Sequence, residues 1–152
     1  LYNEPLASTN IEEGLIPFGK AKILKQGSDI TIVSYGIGIK HALQAIPIAE
    51  REGISIELID LRSLRPLDYE SVFSSVKKTN RCITIEECFP VCSIGNHLSA
   101  SIMENVFDYL DAPVINLSGK DVPMPYAKNL EKEALVTMDE ILSAIKKVTK
   151  GK

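Results

Sequence analysis

From about residue 20 onward, apolar and polar positions alternate between a strand rhythm and a helical one. The short β-prone runs "AKIL" (21–24) and "DITIVSY" (29–35) are joined by "KQGSD", where Gly27 permits a tight turn; they predict an antiparallel hairpin. In "IKHALQAIPIAE", Ile39, Ala42, Leu43 and Ile46 share one helical face that ends near Gly53. Pro47 within it removes a backbone donor and predicts a kink. Strand "ISIELID" (54–60) precedes a helix that begins in "PLDYE", with Asp68 as N-cap and Leu67 stapled onto Val72.

The same alternation continues downstream. Strand "CITI" (82–85) leads through "EECFPVCSIG" to a helix with Ile94, Leu98, Ile102 and Val106 four apart. Strand "VINL" (114–117) follows. The last helix opens with a capping box, Thr137 and Glu140, and a staple, Val136 and Ile141; Leu142, Ile145 and Val148 form its buried side. Between them Ser118 to Glu131, "SGKDVPMPYAKNLE", has neither rhythm and carries two prolines two apart, which reads as a rigid, half-apolar loop.

Four strands that alternate with helices demand right-handed crossovers and a mostly parallel sheet. The expected fold is therefore α/β, a three-layer α/β/α sandwich around a mixed, mostly parallel five-stranded sheet with one antiparallel edge strand. Residues 1–19 have no period and carry Pro5, Gly14, Pro17 and Gly19, so they read as a linker ahead of a domain over 20–152. The first residue is Leu1, and the chain reads as a piece of a longer one.

Composition removes several function classes. The 152 residues are 45% hydrophobic and 24% charged, ordinary globular values, with a net charge of −3 and scattered basic residues rather than a nucleic-acid stripe. No apolar run approaches the roughly 18 residues of a membrane span. Three cysteines, an odd number, speak for a reducing compartment rather than a disulfide framework.

Candidate chemistry is sparse. "SYGIGIK" links a strand to a helix, where backbone N–H groups can hold an anion, but His41 stands where a dinucleotide fingerprint has its third glycine. A tight strand-to-helix turn explains it equally. Cys88, Cys92 and His97, beside Glu86 and Glu87, resemble a metal site or a catalytic Cys–His pair, yet a zinc centre needs a second ligand pair. Small apolar fillers of a strand-to-helix loop are the simpler reading. Glu86 and Glu87 point opposite ways if the strand continues, so they need not pair as acid and base. His41 reads as a helix-flank residue, and Lys146, Lys147 and Lys150 as a solvated helix end.

"DLRSLRPLD" (60–68) and "DAPVINLSGKDVPMPYAKNLE" (111–131) resemble the C-terminal, transketolase-type domain of the pyruvate dehydrogenase beta subunit, within the thiamine-dependent 2-oxo acid dehydrogenases. The likeness runs from "LIPFGKAKI" to "AIKKV". "RPLD" is shared by many thiamine enzymes, whereas "LDAP" and "DVPMPYA" are sharper and favour the pyruvate enzyme over the branched-chain one. The chain departs from the pattern at Cys88–Phe89–Pro90, at His97, at Pro47 and in its polar tail "TKGK".

The resemblance implies a parent that decarboxylates pyruvate with thiamine diphosphate and magnesium and acetylates lipoamide. It puts the cofactor in an upstream domain and an alpha subunit, so this chain alone would hold no catalytic or cofactor residue and be inactive. The implied partners are the alpha subunit, a second beta subunit and the dihydrolipoamide acetyltransferase core. The implied compartment is a bacterial cytoplasm or the mitochondrial matrix. Asp111 and the C-terminus at Lys152 would meet basic groups on the core's subunit-binding domain, a charged contact suited to fast docking. Pro123 and Pro125 would stiffen the loop that offers Met124 and Tyr126 to a neighbour, unless both pack beneath the chain's own last helix. A parent acting on branched oxo acids, another transketolase-like enzyme, or a free-standing ligand-binding module built on "SYGIGIK" are the alternatives.

Overall fold

The computed structural model describes residues 15–150. Most of the expected linker, residues 1–14, and the docking candidate Lys152 lie outside the described residues. Five strands, β1 (Lys22–Lys25), β2 (Ile30–Ser34), β3 (Ile56–Asp60), β4 (Cys82–Ile85) and β5 (Ile115–Leu117), make one sheet in the order β1-β3-β2-β4-β5. β2, β3, β4 and β5 run parallel, and β1 is the antiparallel edge.

The sheet is covered on both faces because its central strands are apolar on both sides. Ile30, Ile32, Leu58, Ile83 and Ile85 pack with α1 (Ile37–Arg51) and α5 (Met138–Thr149). Val33, Ile59 and Cys82 pack on the opposite face with α2 (Tyr69–Thr79) and α3 (Ile94–Val106). Two helix starts agree with the sequence: the Asp68 carboxylate accepts from Ser71 N–H, and Thr137 and Glu140 complete a reciprocal capping box; Ser93, which the sequence reading did not single out, caps α3. Leu67 joins the same cluster as Val72, and Val136 and Ile141 are buried together, as stapling requires. Pro47 lies within α1, and Leu43 of the expected buried face is half exposed; Ala45 and Ala49 take up the contact.

Two expectations are corrected. β1 and β2 form no hairpin, because β3 lies between them and pairs with both. The link from β1 to β2 crosses the start of β3, and a Cβ on Gly27 would fall onto the Ile56–Glu57 peptide. Gly27 is required there by close backbone approach, not by a turn. The second correction is the long loop: its last part is a helix, α4 (Lys128–Ala134), opening without a side-chain cap, which left no start signal to read.

Candidate docking surface

Asp111 is positioned by the end of α2. That helix stops at Asn80, whose left-handed φ of 60° turns the chain into β4, and asparagine tolerates this conformation well. The Asn80 carbonyl accepts from Asp111 N–H at 2.9 Å, and its side-chain amide donates to the Tyr109 carbonyl at 2.7 Å. Arg81 then reaches Asp111 with its guanidinium, Nη2 to Oδ2 at 2.8 Å. The Arg81 side chain is mostly buried and its Nε has no partner, whereas the Asp111 side chain is 54% exposed. The carboxylate is thus tethered through one oxygen and still faces solvent.

Met124 and Tyr126 lie in the loop between β5 and α4. Both are exposed, Tyr126 completely, so the alternative that they pack beneath α5 does not hold. The base of this loop is anchored: Gly119 N–H donates to the Cys88 carbonyl at 3.0 Å and Lys120 N–H to the Ala134 carbonyl at 2.8 Å. The first of these contacts sets the loop against the turn after β4, which carries the exposed Phe89 and Val91. Exposed aromatic and apolar side chains on two adjoining loops suit a protein contact better than a solvated surface.

Under the β4 turn lies a polar cluster that the sequence did not disclose. Glu86 is buried, while Glu87 is exposed, so the two do point apart. Glu86 accepts from Gly95 N–H at 3.0 Å at the start of α3 and from the Tyr35 hydroxyl at 3.1 Å. A Cβ at Gly95 would strike Glu86 and Asn116, so the fit needs glycine. Burial raises the Glu86 pKa, but hydrogen bonds from Ser93, Cys88, Gly95 and Asn116 outweigh it and hold the carboxyl below its usual range. Burial and the Glu86 charge push Tyr35 up, and burial with Glu86 lifts Cys88 to about 11. Glu86 therefore serves as a built-in anion for the α3 N-terminus. The signal available in the sequence was a glycine in the first turn of a helix after a strand-end glutamate.

The remaining candidates do not converge. Cys88 contacts Glu86, Cys92 is exposed at a φ of 59°, and His97 Nε2 meets the Tyr69 hydroxyl at 2.5 Å. Among the described residues, no group of three His, Cys, Asp or Glu is arranged to hold a metal. In "SYGIGIK", Gly38 N–H donates to the Tyr35 carbonyl at 3.2 Å, a tight strand-to-helix turn. His41 is half-buried with its Nδ1 unpartnered, and Lys146 pairs with Glu52 at 2.7 Å rather than standing free. No described helix is long and apolar enough to cross a membrane.

Comparison with known proteins agrees with this architecture. Residues 19–141 match the family model "Transketolase, C-terminal domain". The chain is 46% identical over 148 residues to the pyruvate dehydrogenase E1 component subunit beta of Rhizobium meliloti (strain 1021), covering 97% of this chain and 32% of that protein. It is 48% identical over 150 residues to a mitochondrial subunit beta-2 from Oryza sativa subsp. japonica, covering 97% of this chain and 40% of that one. A solved structure of a split-gene transketolase, an inactive beta4 tetramer, superposes with a TM-score of 0.79 at 26% identity, covering 95% of this chain and 46% of that one. The chain thus spans 32% and 40% of the length of these two curated relatives. With its five-stranded mixed sheet and these matches, the chain belongs to the transketolase C-terminal domain family, and its sequence kinship lies with the pyruvate dehydrogenase E1 beta subunits.

Proposed function

We propose that this chain is the C-terminal domain of a pyruvate dehydrogenase beta subunit, and that its work is assembly and docking rather than chemistry. The observation that carries this is identity of 46–48% across nearly the whole chain to subunits of that name. The parent would decarboxylate pyruvate with thiamine diphosphate and magnesium and pass the acetyl group to lipoamide. It would work with an alpha subunit and a second beta subunit, in a bacterial cytoplasm or a mitochondrial matrix.

In this reading the cofactor is held by parts of the parent outside this chain, and within the chain Glu86 occupies the N-terminus of α3. In this chain, Asp111 would receive a basic group of the acetyltransferase core; Lys152, outside the described residues, is the second candidate for that contact. Met124 and Tyr126 would enter a subunit contact, which their exposure on an anchored loop supports.

The test is the full-length parent assembled with its alpha subunit, assayed on pyruvate and on branched-chain 2-oxo acids. Turnover of pyruvate that needs thiamine diphosphate, with weak activity on the branched acids, is expected. The reverse preference would move the chain to the branched-chain enzymes.

A further inference from the structure

The turn between β4 and α3 holds two of the chain's three cysteines, Cys88 and Cys92, four residues apart. The third, Cys82, is buried inside β4 and shut off from solvent. Cys88 is half-buried, Cys92 is exposed, and Phe89 and Val91 between them face solvent. Cys92 therefore fills no core space. Among the described residues no third ligand joins the pair to hold a metal.

The turn closes on itself around Glu86. The Cys88 thiol and the Ser93 hydroxyl both hydrogen-bond to the Glu86 carboxylate, which also accepts from Gly95 N–H at 3.0 Å. The Asn96 side-chain amide reaches back to the Pro90 carbonyl and draws the loop tighter. Cys88 and Ser93 thus meet on one carboxylate, and Cys92 is the residue beside Ser93. The left-handed φ of 59° at Cys92 makes the reversal that returns the chain. A disulfide needs Cα atoms no more than about 7 Å apart, and a turn closed over one carboxylate brings the two cysteines into that neighbourhood.

We propose that Cys88 and Cys92 form a reversible disulfide, an oxidation site beside the Glu86 cluster whose oxidant is a small-molecule disulfide. The exposed Cys92 thiolate attacks one sulfur of that disulfide. Its S–S bond breaks, and one half leaves as a thiolate that takes a proton from water. Cys88 then gives its proton to water and attacks the Cys92 sulfur, which forms the Cys88–Cys92 bond and releases the second half. Two protein thiols are oxidised and one small disulfide is reduced to two thiols. The surroundings set the order. Burial and the neighbouring Glu86 carboxylate push the Cys88 thiol up to about 11, so Cys92 reacts first and Cys88 resolves. The bond withdraws the Cys88 sulfur from Glu86 and locks the turn that carries Phe89 and Val91. Through Gly119 N–H on the Cys88 carbonyl, that turn is also joined to the β5–α4 loop. In a reducing compartment such a bond forms transiently, as a redox-sensing one does.

The test takes the folded, full-length protein that carries this chain through glutathione buffers from reduced to oxidised, followed by alkylation and peptide mass spectrometry. Trypsin releases residues 82–120, which hold all three cysteines. The expected oxidised peptide lacks two hydrogen atoms, has its internal bond between Cys88 and Cys92, and returns to thiols with dithiothreitol; Cys82 stays reduced. In the reduced wild type, iodoacetamide should label Cys92 at least about tenfold faster than Cys88. In Cys88→Ser, Cys92 should keep one glutathione as a mixed disulfide. In Cys92→Ser, a surface change that keeps the fold, Cys88 should stay a free thiol. A wild-type protein that carries glutathione on Cys92 without the internal bond would overturn the proposal. Two thiols that stay reduced in oxidised glutathione alone would overturn it as well.

Discussion

Arg81 and Asp111 form an ion pair at 2.8 Å that joins the entry of β4 to the chain leading into β5. Asp111 is half exposed, but the Arg81 side chain is mostly buried, so removing the carboxylate leaves a buried cation short of its partner. Asp111→Ala should cost about 1–3 kcal/mol in chemical denaturation, the range for a buried polar group left unsatisfied. A loss of several kcal/mol would mean that the carboxylate is chiefly a structural counter-ion of Arg81 and is not presented to a partner.

Glu86 makes a sharper prediction about pH. Its pKa is depressed in the folded state, so the stability it supplies is present above the ordinary carboxyl value of 4.5 and lost as pH falls through the folded value. Asp68 and Glu140 are depressed as well and add to the same acid limb. Burial lifts Cys82 to about 12, so its contribution is intact below the ordinary thiol value of 9.0 and fades as pH rises towards 12. Melting temperature should therefore be highest between about pH 5 and 8, the usual optimum for such linkage. Glu86→Gln should cost about 1.5–3 kcal/mol at neutral pH, the worth of hydrogen bonds to a charged group, and flatten the acid limb. An unchanged acid limb in that variant would refute the assignment.

Gly27 tests the strand order. A methyl group there meets the Ile56–Glu57 peptide, which is backbone and cannot swing aside. Gly27→Ala should cost about 2–4 kcal/mol through overpacking and displacement of β1. Were β1 and β2 a simple hairpin, the same change would be mild, so equilibrium denaturation separates the two topologies.

The β5–α4 loop should behave in the opposite way. Met124→Ala and Tyr126→Ala remove exposed side chains, so each should alter stability by no more than about 0.5 kcal/mol. Both should nonetheless weaken assembly of the full subunit, measured by analytical ultracentrifugation. A marked drop in melting temperature, with assembly intact, would make them packing residues.

Much of the fold was legible because it is written locally. Asp68 and Thr137 mark helix starts through side-chain caps that need only three residues of context. The buried repeats in α3 and α5 announce their faces in the same way. What escaped depends on distant partners. The insertion of β3 between β1 and β2 is a choice among strand neighbours that no turn sequence encodes, and Gly27 reads alike as a turn glycine or as a crossing one. The uncapped α4 offered no start signal. At the candidate site, Asp111 stood out only through its resemblance. The Arg81 partner, 30 residues away, and the burial of Glu86 against α3 required the fold.

In the function proposed above, Asp111 would dock this domain to an acetyltransferase core. Calorimetric titration of the assembled enzyme with the core's subunit-binding domain, wild type beside Asp111→Ala, tests it most directly. The account predicts tight, salt-sensitive binding by the wild type and at least tenfold weaker binding by the variant, as for loss of a charged interface anchor. Equal affinity of the two proteins would contradict it.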